Sequence, residues 1–80
     1  MSKKSKALAK LKSATGTFEW ADMVAALKAL GFEQVEMAGS RVRFVKGDLQ
    51  ILLHKPHPQK EMKAYAVRQV KELLRSEGSL

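Results

Sequence analysis

The chain has 80 residues, 45% apolar and 29% charged, a globular composition that supports one small core, with no room for a doubly wound sheet or a second domain. It has no cysteine, which excludes disulfides, thiolate catalysis and cysteine-ligated zinc or iron–sulfur sites. Fifteen Lys and Arg against eight Asp and Glu give a net charge of +7, which points to a polyanion, with a merely solvated basic surface as the alternative.

The charge is unevenly spread. Residues 1–12 carry five lysines and no acid, residues 13–40 one lysine against four acids, and residues 41–80 nine basic groups against four acids, including all four arginines. No apolar run approaches the roughly 18 residues of a membrane span, and no long apolar stretch follows the basic start as in a secretory signal. A cytoplasmic chain without membrane contact is therefore expected.

In chain order, residues 1–4 read as a loose tail. Ser5 reads as the cap of a short helix with Ala7, Leu8 and Leu11 on one side and lysines on the other. Ser13 to Gly16 is a small-residue linker, so residues 1–16 form a basic extension and residues 17–78 the main domain. Thr17 or Phe18 opens a helix with Thr17 as N-cap. Trp20, Met23, Val24, Leu27 and Leu30 recur at helical spacing, and Gly31 ends it.

Three strands follow. Phe32 to Met37 is the first, with Val35 and Met37 on a common face, and Ala38 to Ser40 turn the chain. Arg41 to Val45 alternates, with Val42 and Phe44 on one face and Arg41, Arg43 and Val45 on the other. Lys46-Gly47-Asp48 makes a hairpin turn, after which Leu49, Ile51 and Leu53 face the core and Gln50, Leu52 and His54 the opposite side. Lys55 to Gln59 is a loop shaped by Pro56 and Pro58. The last element is a helix from Lys60 to Ser76, ended by Gly78. Met62, Tyr65, Ala66, Val70, Leu73 and Leu74 form its buried stripe, and Lys60, Lys63, Arg68, Lys71 and Arg75 its exposed side.

The order α-β-β-β-α, with an extra short helix at the N-terminus, reads as a two-layer α+β sandwich. Both long helices cover the Val42, Phe44, Ile51 and Leu53 face. Arg41, Arg43 and His54 stay on the open face.

His54 and His57, within Leu53-His54-Lys55-Pro56-His57-Pro58, are the only histidines. Histidine moves protons near neutral pH without a metal, which is the help RNA needs to be cut by its own 2′-hydroxyl. A base takes the 2′ proton, a cation steadies the phosphate, and an acid protonates the leaving 5′-oxygen. The alternative is that His54 bonds a carbonyl at a strand end and His57 is an ordinary surface residue. Lys55 and Lys60 flank this segment. Two histidines, with Asp48 and Glu61 at no recognised ligand spacing, make no metal site, so no metal or other cofactor is expected. Trp20, Phe44 and Tyr65 read as core rather than as stacking platforms, and Phe18 and Phe32 as packing at helix ends.

Leu30-Gly31-Phe32 after the leading helix, Gly39-Ser40 before Arg41-Val42-Arg43-Phe44, and His54-Lys55-Pro56-His57-Pro58 before a basic helix together resemble the HicA family of toxin endoribonucleases over residues 17–78. The lysine-rich leader and Thr17-Phe18-Glu19-Trp20 resemble a subgroup with an N-terminal extension. The resemblance implies a double-stranded-RNA-binding-domain-like fold. It also implies a cofactor-independent messenger-RNA interferase of a type II toxin–antitoxin pair, neutralised by a HicB-like antitoxin. The family usually carries Gly-Ser-His with a catalytic histidine, and here Arg41 stands at that position. Arg is a poor general base. His57, which matches the family's Pro-His segment, is the first choice to carry the proton and His54 the second; otherwise the chain binds RNA or an antitoxin without cutting. In this reading Arg41 and Arg43 hold the scissile phosphate, and Lys55, Lys60, Lys63, Arg68 and Lys71 hold the RNA backbone.

Overall fold

The computed structural model describes residues 3–57 and 59–80. Met1 and Ser2 of the expected tail, and the restraint expected from Pro58, lie outside the described residues. The first helix, α1 (Lys3–Ser13), starts ahead of Ser5, so Lys3 and Lys4 are helical and Ser5 is not a cap. Its Ala7 and Leu11 are buried and Leu8 is half-buried against the core. These residues recur at three- and four-residue spacing, which gives the stripe that α1 lays along the second helix, α2 (Trp20–Ala29). An exposed ion pair, Lys10 Nζ to Asp22 Oδ2 at 3.7 Å, joins the two helices at their rim and contributes little.

The chain between these helices departs from the expectation. Phe18–Glu19 forms a short strand, β1, paired antiparallel with another, β5 (Glu61–Met62), so that Phe18 opposes Met62 and Glu19 opposes Glu61. Phe18 and Met62 are both buried, and their contact holds the chain extended where Thr17 was expected to cap α2. The Thr17 hydroxyl instead donates to Glu61 Oε2 at 3.4 Å, and the Trp20 N–H donates to the Lys60 carbonyl at 2.9 Å. Glu19 takes the N-cap position, without a side-chain cap bond. The other end of α2 follows the expectation. Gly31 has φ 98°, its N–H donates to Lys28 O, and the Phe32 N–H donates to Leu27 O, each at 3.0 Å. This double bond pattern satisfies two carbonyls that the helix end would leave open.

A three-stranded antiparallel sheet follows, in the order β2 (Glu33–Glu36), β3 (Arg41–Lys46), β4 (Leu49–His54). Val42 opposes Leu53 and Phe44 opposes Ile51, and all four are buried. The Trp20 ring packs against Phe44 with centroids 6.0 Å apart and planes inclined at 60°, so Trp20 lies half-buried against the core rather than inside it. On β2 the residues opposite Val42 and Phe44 are Glu36 and Gln34, so this edge strand offers polar groups on the helix side. Its Val35 opposes Arg43 on the open face and is 42% exposed.

The last helix, α3 (Ala64–Ser76), starts four residues later than expected. Lys60 to Lys63 are not helical, because Glu61 and Met62 are held extended in the β1–β5 pair. Val67, Val70 and Leu74 are its buried stripe, with Ala66 and Leu73 half-buried. Tyr65, expected in that stripe, is 57% exposed. The Gly78 and Ser79 N–H groups close the end of α3 on Arg75 O and Leu74 O, the same arrangement as at Gly31. The α+β architecture and the open face, with Arg41 and His54 exposed and Arg43 half-buried, follow the sequence expectation, with α1 joined to the core and a second, two-stranded sheet added.

Candidate nucleic-acid interface

Arg41 and His54 are directly opposite one another in the β3–β4 pair. Opposed residues of an antiparallel pair share a face, with Cβ atoms roughly 5 Å apart. Burial alternates along both strands, and Arg41 and His54 lie on the face away from the helices. The backbone fixes this register on both sides. Met37 N–H donates to Arg41 O at 3.1 Å, and Lys55 N–H donates to Ser40 O at 2.7 Å, so pairing continues past the ends of the strands. Arg43 lies two residues further along the same face, between Val35 on β2 and Leu52 on β4. Leu52 is 53% exposed.

Beyond β4 the chain borders a cleft of about 470 Å³ between the strand end, the following loop and the start of α3. His54, His57, Lys55 and Lys63 line it, together with Glu61 from β5. Both histidines thus reach one concavity, one from the end of a strand and one from the loop, where Pro56 limits the backbone. Arg41 and Arg43 do not border the cleft. His54 does, and it is therefore the residue shared by the arginine face and the cleft. Asp48 lies in the hairpin turn at the opposite end of β4, roughly 20 Å of strand from His54, so it joins no metal site with the histidines. Among the described residues, no three His, Asp or Glu side chains come together.

The other basic residues are distributed more widely than one contact surface would require. Lys55 borders the histidine cleft and also a smaller one, about 230 Å³, that reaches Lys60 and Trp20. Arg68 lines a separate groove of about 240 Å³ between α3 and the α1–β1 connection. Lys71 is only 8% exposed. Its Nζ donates to Ala14 O at 2.6 Å and to Lys12 O at 3.1 Å, so the ammonium closes the carboxyl end of α1. That engagement removes Lys71 from the surface on which the sequence reading had placed it.

Sequence reasoning also passed over residues that the cleft brings in. Tyr65 and Gln69 line it from α3, and Leu52 from β4. The signal was available at Tyr65 and Gln69, four apart on a helix and off the Val67, Val70 and Leu74 stripe.

Residues 20–76 match the family described as HicA toxin of bacterial toxin-antitoxin. The chain belongs to the HicA toxin family. Toxins of this family work opposite an antitoxin and are generally endoribonucleases. The match covers α2 through α3 and starts after α1. No curated protein and no solved structure matches the chain. Among the described residues, no helix of this HicA chain is long and apolar enough to cross a membrane.

Proposed function

We propose that this HicA-family chain is an endoribonuclease that cuts messenger RNA by attack of a 2′-hydroxyl on its own 3′-phosphate, held in check by a HicB-like antitoxin. The observation that carries the reading is the position of His54, opposite Arg41 on one side and on the wall of the cleft that holds His57 on the other. An RNA strand laid along the open face has its phosphate beside Arg41 and Arg43. One imidazole takes the 2′ proton as the O2′–P bond forms. The other gives a proton to the 5′-oxygen as the P–O5′ bond breaks. The products are a 2′,3′-cyclic phosphate end and a 5′-hydroxyl end.

In this reading the reaction uses no metal, and Arg41 stabilises charge on the phosphorane where most of the family has histidine. His54 is the better candidate for the base, because it is fixed by the sheet and faces the arginine. His57 is then the acid. Lys55, Lys60 and Lys63, around the cleft and its neighbour, contact the flanking backbone. Arg68, in its own groove, is reached only by a strand that continues over α3.

Arg41 itself favours one second reading, an RNA-binding chain that has lost the cut. Purified protein incubated with long single-stranded RNA in EDTA separates the two. Fragments with cyclic phosphate ends support the nuclease. A mobility shift with intact RNA supports the binding module. A protein that binds an acidic antitoxin and shows no salt-sensitive RNA binding overturns both.

A further inference from the structure

Tyr65 is a large aromatic side chain that the fold leaves 57% exposed. Its helix is anchored without it, through Val67, Val70 and Leu74. It borders the histidine cleft with exposed Leu52 across from it on β4 and with Gln69 one turn further along α3. Lys55 and Lys63 border the same cleft against one acid, Glu61, so one concavity combines an aromatic surface, an apolar wall, a neutral amide and an excess of cationic groups. A ligand matching that set is a polyanion that carries flat, partly apolar groups with polar edges. Each nucleotide of an unpaired RNA strand is such a unit, and the cleft lies in the size range of small-ligand sites.

We propose that the cleft is a nucleobase subsite. A base next to the scissile phosphate stacks on Tyr65 beside Leu52, and the Gln69 amide reads its edge with one donor and one acceptor. This rests on the ribonuclease reading and adds to it the part of the substrate that the arginines and histidines leave unaddressed. It makes the chain selective for single-stranded RNA, because a base in a duplex is not free to enter. It also makes Tyr65 and Gln69 specificity residues rather than catalytic ones.

The test is binding of a single-stranded RNA 12-mer with 2′-fluoro substitution, which lacks the attacking hydroxyl and stays intact. Fluorescence anisotropy is followed for the full-length wild type, Tyr65→Ala, Tyr65→Phe and Gln69→Ala. A matching strand with abasic sites is titrated in parallel. Tyr65→Ala is expected to weaken binding of the base-bearing strand roughly five- to 150-fold, with Tyr65→Phe close to wild type. That loss disappears on the abasic strand. Gln69→Ala is expected to level the preference among strands that differ in one base. Wild-type affinity in Tyr65→Ala, or an equal loss on both strands, overturns the subsite and leaves the nuclease reading standing. A wild-type protein that retains neither strand at low salt overturns the nuclease reading itself, and that result is read before any variant is made.

Discussion

Arg41 and His54 occupy one rung of the β3–β4 ladder, a cation and an imidazole held side by side by backbone pairing rather than by contact with each other. Substituting either leaves the rung and its partner in place. His54→Ala is expected to lower RNA cleavage by a factor of about 10² to 10⁴, the range for a lost general acid or base, with RNA retention close to wild type. Gel analysis of fragment ends together with a filter-binding assay checks both halves. Cleavage at the wild-type rate in both His54→Ala and His57→Ala removes the proton-transfer assignment.

Arg41 is expected to behave differently. Arg41→Ala weakens RNA binding and lowers the dependence of log affinity on log salt by about one unit, because one phosphate contact is lost. Lys63→Ala has the same kind of effect. Titrations across a range of salt concentrations give the slopes. An unchanged slope in Arg41→Ala shows that the guanidinium does not meet a phosphate.

Lys71 is expected to support stability rather than RNA binding. Lys71→Ala removes a charged donor from two carbonyls at the end of α1, in a partly buried site. A loss of about 2–3 kcal/mol is expected. RNA affinity of the folded variant is expected to stay at the wild-type level, which separates Lys71 from the exposed lysines. Urea unfolding and RNA titration of the same sample make the comparison.

Leu11 tests whether α1 is a part of the core. It is fully buried, so Leu11→Ala is expected to cost about 2–5 kcal/mol. A chain of this size has only about 4–12 kcal/mol of stability in total. A midpoint within error of wild type in urea would show that α1 adds nothing to the fold.

Gly31 sits at φ 98° between α2 and β2. A Cβ there would meet the Lys46 side chain at 3.6 Å, an ordinary contact, so the cost of Gly31→Ala comes from the backbone and not from a clash. About 1–2 kcal/mol is expected, with an unchanged denaturant slope.

The parts of this molecule that could be read from the sequence are those set by local pattern. Val42 and Phe44 alternate with Arg41 and Arg43, Ile51 and Leu53 alternate with Leu52 and His54, and the two-residue turn at Gly47 and Asp48 fixes how the strands meet. The Arg41–His54 rung follows from those facts alone. The parts that could not be read depend on partners distant in sequence. Phe18 is extended because Met62 lies against it, and no periodicity within two residues can signal that. The same pairing delays α3 past Lys63, which takes Met62 off the helix and leaves Tyr65 in its first turn, outside the covered stripe. Lys71 looked like one more surface lysine because its carbonyl partners belong to another helix.

The bond from Lys71 to Ala14 spans 57 positions of chain. Synthesis runs from the amino end, so α1 leaves the ribosome well before its counter-charge exists. A segment of eleven residues is marginal as a helix on its own, so the first helix gains its closing donor only once α3 has been released to swing back onto it.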